Sequence, residues 1–193
     1  MTATSDTVFA DGLDYFDQIA SSLEPADWDR PSPCDGWTAL DVLGHLGTAL
    51  NMGASVLQGE QPTWPTFGRP AELVDGEPLA FYRSAADRCR SALQGADLET
   101  EMDTPMGPRT VADRLAFPAI DLYVHGWDVA TTVGESAEIP QSVIDFAHVH
   151  LDPIPPEMMR GERGVFGPEV EPPADASSTD AFVAWTGRQP RGR

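Results

Sequence analysis

Three ionisable side chains stand in the apolar stripes of two helical segments, and that placement most constrains the fold. His45, Asp121 and His125 each need a polar partner there, whether one another, a shared ion or another group of the core. Asp121 and His125 lie four residues apart in Ile120-Asp-Leu-Tyr-Val-His-Gly-Trp-Asp-Val-Ala130. On an α-helix that spacing stacks two side chains on one face, about 5–6 Å apart at Cβ. His45 stands mid-helix in Ala39-Leu-Asp-Val-Leu-Gly-His-Leu46. Imidazole and carboxylate are ordinary ligands of a divalent ion, and a third donor from a second helix closes such a site. An unneutralised carboxylate on an apolar stripe costs roughly several kcal/mol, so an ion shared by the three is the economical solution.

The 193 residues suffice for one domain with a full core and a small appendage. A net charge of −19 predicts a self-repelling acidic surface and argues against nucleic acid as a partner, since phosphate binding needs a basic stripe. All 12 cations are Arg, which removes lysine Schiff-base chemistry and any phosphate loop that depends on lysine. The start, Met1-Thr-Ala-Thr-Ser-Asp6, carries no basic and apolar leader pattern, and no run of about 18 apolar residues occurs. A cytoplasmic protein without a membrane partner is expected. Cys34 and Cys89 are too few for a disulfide scaffold and read as reduced; either could be reactive, but a small buried hydrophobe is the plainer expectation.

Helical periodicity runs from about Thr7 to Leu23 through Phe9, Leu13, Phe16 and Ile19. Pro25 to Gly36 reads as an ordered connector. Thr38 caps a second helix with Asp41 as reciprocal partner, and Leu40, Leu43, Leu46, Leu50 and Val56 carry it to Leu57. Gly59 to Gly76, with Pro62, Pro65 and Pro70 in it and Pro78 just beyond, is a surface loop and a pocket rim, with Trp64 and Phe67 as apolar contacts. A third helix spans about Leu79 to Leu93. A fourth is capped by Thr110 with Asp113, runs to Val133 and stops at Gly134, with Pro118 expected to kink it before Asp121. Shorter helices are expected from Pro140 to Leu151, around Glu157 to Arg160 and over Asp180 to Thr186, with no strand pair. Four long helices in sequence argue for a bundle, in which metal sites are built from side chains on facing helices.

A competing ligand set draws on His148 or His150, which are two apart and face different sides of a helix, so at most one could join His45 and His125. Asp128 could hydrogen-bond the ring nitrogen of His125 that a metal leaves over, although a solvent-exposed or capping aspartate is the plainer expectation. Neither a Gly-x-Ser-x-Gly elbow nor a His-Glu-x-x-His motif is present.

The segment Pro31-Ser-Pro-Cys-Asp-Gly-Trp37, followed by Thr38 and the His45 helix, resembles the signature of the actinobacterial mycothiol-dependent maleylpyruvate isomerase-like proteins, relatives of the DinB metalloproteins. Val124-His-Gly-Trp-Asp-Val-Ala130 is similar to a second motif of that family, and the tail from Phe166 to Pro190 resembles a short-form branch. The resemblance implies an all-α, DinB-like up-down-down-up four-helix bundle over residues 1–151, with a short helical and irregular C-terminal extension over 152–193 packing on it. It also implies one divalent ion, zinc before nickel, iron or manganese, on His45, Asp121 and His125. The family carries Glu where this chain has Asp121, one methylene shorter. The activity implied is that of a metal-dependent enzyme that adds or transfers a low-molecular-weight thiol such as mycothiol to a small-molecule electrophile, or isomerises one with the thiol's help. The alternative is a non-catalytic bundle that binds a metal or a small apolar ligand.

Overall fold

The computed structural model describes residues 3–63, 65–104, 107–160 and 165–190. Thr4–Ala137 makes up one compact unit, and the chain from Glu138 onward contributes to the other.

The first unit holds α1 (Ser5–Ala20), α2 (Ala39–Leu57), α3 (Pro78–Leu93) and α4 (Val111–Thr132). Local chemistry sets their ends. Thr38 and Thr110 each accept the backbone N–H of the residue three positions on, Asp41 and Asp113, whose carboxylates reach back to the capping residue. At the other end of α4, Gly134 takes φ +84°, and the N–H groups of Gly134 and Glu135 bond Thr131 and Ala130 in a Schellman closure. The first helix stops at Ala20, short of the expected Leu23, because the Ser21 and Ser22 hydroxyls turn back onto the carbonyls of Asp17 and Ile19. Helix α4 continues through Pro118, whose ring removes one backbone donor.

Cross-helix contacts fix the directions. Tyr123 donates to the Val8 carbonyl and Gly126 faces Tyr15 and Ile19, so α1 and α4 run the same way. Gly47 lies against Phe81 and the Cys89 thiol donates to the Leu50 carbonyl, so α2 and α3 also run together. Arg83 pairs with Asp17 and Arg90 with Asp14, each at 2.6 Å, which sets α3 antiparallel to α1. The result is the up-down-down-up bundle, its core filled by Phe9, Leu13, Phe16, Leu43, Leu46, Leu50, Tyr82, Leu115 and Leu122. A strand pair that sequence reading does not show is present: β1 (Glu101–Met102) and β2 (Arg109–Thr110) form an antiparallel ladder. Two residues per strand are too few to leave an alternating pattern.

The second unit holds α5 (Gln141–Leu151), α6 (Pro156–Met159) and α7 (Ser178–Trp185). Helix α5 packs against α7. Arg160 organises this unit: its guanidinium lies 5.0 Å from the Trp185 ring and donates to the carbonyls of Gly167 and Trp185.

Between α2 and α3 the chain turns through Pro70–Leu73, and this turn is clamped onto α2. Asp41, fully buried, accepts the N–H and hydroxyl of Thr38 at 2.9 Å each, the N–H of Ala71 at 3.1 Å, and a guanidinium hydrogen from Arg69. Gly44 allows the close approach, since a Cβ there would stand 2.3 Å from the Pro70 carbonyl oxygen. Burial pushes the Asp41 carboxyl up, but the hydrogen bonds from Thr38, Ala71 and Arg69 together outweigh it and hold its pKa below the ordinary 3.8. A carboxyl lowered in the folded state stabilises fully above its unfolded pKa of about 4, and that contribution is lost as pH falls through the folded value. Asp41→Ala is therefore expected to cost about 2–4 kcal/mol in urea denaturation at pH 7. The loss should shrink as pH falls below about 4 and the wild-type carboxyl is protonated in its turn. A pH-independent difference between the two proteins would remove the ionised carboxylate from this account.

Candidate metal centre

The connector from Pro31 to Thr38 is folded on itself before α2 begins. Pro31 pairs with Thr38 in an isolated bridge, and Trp37 donates its N–H to the Cys34 carbonyl across Asp35 and Gly36. Gly36 takes φ +73° at the third position of that turn, the conformation a type II turn requires. The turn delivers Trp37 over the centre, with its ring 5.3 Å from that of His45 and 6.3 Å from that of His125.

The three residues expected from the sequence come together. His45 Nε2 on α2 is 3.0 Å from one oxygen of Asp121 on α4, and His125 Nε2 is 3.3 Å from the other. One donor atom from each residue lies within 4.8 Å of the other two. A tetrahedral ion with bonds of about 2.0–2.1 Å spaces neighbouring donors ~3.3 Å apart, which is the scale of the two imidazole–carboxylate distances. Side-chain exposure falls from 22 % at His45 through 14 % at Asp121 to 7 % at His125, so the centre opens towards His45.

Asp128 departs from its plainer expectation. It is neither exposed nor a cap: it is fully buried, and its carboxylate accepts from His125 Nδ1 at 2.8 Å. That bond fixes the ring and turns Nε2 towards Asp121, as partners of ligating histidines do. Cys34, which the sequence reads as a small buried hydrophobe before a reactive thiol, is half-buried at this centre. Its Sγ lies 3.2 Å from the same Asp128 oxygen and 3.9 Å from His125 Nδ1. Cys89 does behave as expected: it is buried, and burial pushes its thiol up to about 12. The alternative histidines belong elsewhere. In the second unit His148 bonds Asp152 at 3.0 Å and His150 lies against Phe146, and neither joins a potential ligand cluster among the described residues.

One turn along α2 from His45, a surface cavity of about 430 Å³ opens between that helix and the 59–76 loop. Thr48, Met52, Gln61, Thr63, Leu73 and Phe81 line it. Of the two rim residues expected, Phe67 is half-buried and Trp64 lies outside the described residues.

This bundle, with paired imidazoles and a carboxylate between α2 and α4, has the DinB-like architecture. Residues 9–130 match the family described as the mycothiol maleylpyruvate isomerase N-terminal domain, and the chain belongs to that family. Two solved structures share the fold: the mycothiol-dependent maleylpyruvate isomerase (17% identity, TM-score 0.59) and a histidine-to-alanine mutant of it (15%, 0.61). Each alignment covers 74% of this chain but only 65% of the solved one. No curated protein matches the chain in sequence.

The seat of His125 also depends on a glycine. A Cβ at Gly126 would stand 2.5 Å from the Tyr15 ring, which itself packs on Tyr123 at 4.7 Å. Gly126→Ala should gain helix propensity of about 1 kcal/mol but lose more to overpacking between α1 and α4, a net destabilisation of about 1–2 kcal/mol. A thermal midpoint equal to or above wild type would show that α1 yields freely at this contact.

Proposed function

We propose that the chain is a metal-dependent thiol enzyme. In this reading His45 Nε2, the Asp121 carboxylate and His125 Nε2 hold one divalent ion, zinc before nickel, iron or manganese. The reaction joins a low-molecular-weight thiol such as mycothiol to a small electrophile, or isomerises the electrophile with the thiol's help. The observation that carries it is the convergence of three donors from two helices, with the ring of one fixed from behind by a buried carboxylate. Family membership and the names of the two structural neighbours supply the thiol and the reaction class. When bound, the ion would acidify a coordinated thiol and so supply a nucleophile at neutral pH.

The chain's own residues do the rest. Asp128 takes the Nδ1 proton of His125 in a hydrogen bond, which leaves the Nε2 lone pair towards Asp121. Trp37 covers the two imidazoles and restricts water on that side. Met52, Leu73 and Phe81 give the neighbouring cavity an apolar wall, and Thr48 and Gln61 supply polar groups to orient an electrophile there. Among the described residues no helix is long and apolar enough to cross a membrane, and the acidic chain suits a small-molecule partner.

Protein purified without a histidine tag should carry about one divalent ion per chain by mass spectrometry. His45→Ala, Asp121→Ala and His125→Ala should each lose most of it while keeping the helical circular dichroism of wild type. Full metal in His45→Ala with loss in His148→Ala or His150→Ala would refute the ligand set. In calorimetry, thiol affinity should rise with pH below the free thiol's pKa of roughly 8.5, because binding releases a proton. Metal-free protein should show no such dependence. Without thiol-dependent turnover across epoxides, enones and halides, the chain would be a binding protein rather than an enzyme.

A further inference from the structure

His125 presents a second donor set on its other face. Cys34 Sγ, Asp128 Oδ2 and His125 Nδ1 are separated by 3.2 Å (S to O), 2.8 Å (O to N) and 3.9 Å (S to N). With metal–sulfur bonds of about 2.3 Å and metal–nitrogen or metal–oxygen bonds of about 2.0–2.1 Å, a tetrahedral ion spaces such donors ~3.3–3.6 Å apart. Each distance lies within roughly half an ångström of that. Asp128 is fully buried and His125 nearly so, and the third donor comes from the rigid connector turn.

We propose that Cys34, Asp128 and His125 Nδ1 form a second seat for a thiophilic divalent ion, used in alternation with the seat on His45, Asp121 and His125 Nε2. It rests on the metal-centre reading only for the alternation, since its own donors are separate except for His125. On binding, the Cys34 thiol gives its proton to solvent, and the ion takes one bond each from sulfur, carboxylate oxygen and Nδ1. The His125 ring proton then resides on Nε2, which faces an Asp121 oxygen 3.3 Å away. A neutral imidazole offers one lone pair at a time, so an ion in one seat closes the other. The thiolate selects zinc, cobalt or cadmium over magnesium or calcium.

The test is a titration of metal-free protein with Co²⁺ alone, with no thiol added. A sulfur-to-cobalt charge-transfer band is expected in wild type, stronger in His45→Ala, where the competing seat is crippled. It should vanish in Cys34→Ser and Cys34→Ala, and Asp128→Asn should weaken Co²⁺ binding in the His45→Ala background by about tenfold or more. Circular dichroism identifies any variant that fails to fold, and the two Cys34 variants check each other. A band that survives in both, or no band in wild type and folded His45→Ala, overturns the proposal. The metal-centre reading fails separately, if His45→Ala and Asp121→Ala, each combined with Cys34→Ala so that the second seat is absent, keep the metal content of Cys34→Ala alone.

Discussion

Asp121 stands between two imidazoles, and the packing of α2 against α4 turns on that junction. Its two oxygens face His45 Nε2 at 3.0 Å and His125 Nε2 at 3.3 Å, so each of three groups that would be costly alone in a helical interface is met by another. Backbone contacts outside the junction hold both helices to it. Gly44, just before His45, lets the Pro70 carbonyl rest on α2, and Gly126, just after His125, lets Tyr15 of α1 press on α4. Each histidine is thus adjacent to a residue whose missing side chain brings a neighbouring segment against its helix. Rigid elements on the outer side make the donor positions precise on the inner side.

The charges form a line from the interior outward: Asp128, His125, Asp121, His45. Exposure rises along it from a fully buried carboxylate to a histidine at the surface of the bundle. With neutral imidazoles the line carries two negative charges, in a chain whose net charge is already −19. Burying such a set favours any cation that can share it, and the gain is greatest where water is scarcest. A divalent ion is the natural counter-charge, and the donor types, nitrogen and oxygen with sulfur close by, favour transition metals over magnesium or calcium.

The parts of this arrangement that sequence reveals are those written in short-range spacing. Thr38 with Asp41, Thr110 with Asp113, and Gly134 mark helix ends through bonds no more than five residues long, so the ends can be read without the fold. Asp121 and His125 are legible for the same reason. The partnership of Cys34 with Asp128 spans 94 residues, and no local pattern encodes it. Asp128 is an intermediate case: its spacing from His125 is visible, but its complete burial is a property of the packed bundle. The strand pair β1–β2 escapes because it is two residues long, and the early end of α1 because serine hydroxyls at 21 and 22 compete with the helix for its last carbonyls.

The aspartate at position 121, where the resemblance leads one to expect glutamate, can be understood from the same packing. A glutamate carboxylate reaches one methylene farther from α4, and would suit a wider separation from α2. Here Asp121 hydrogen-bonds His45 at 3.0 Å and comes within 3.3 Å of His125 Nε2 with its shorter side chain. The clamp one turn earlier on α2 works in the same sense: Asp41 gathers Thr38, Arg69 and Ala71, and fixes the first turn of α2 and the 69–71 segment as one body. His45 follows Asp41 by four residues and so shares its face of the helix. The position of His45 relative to α4 is therefore set by an ion-paired carboxylate one turn away rather than by its own contacts alone. A shorter carboxylate side chain on α4 and a pinned first turn on α2 are mutually consistent: the first requires a close, fixed partner, and the second provides it.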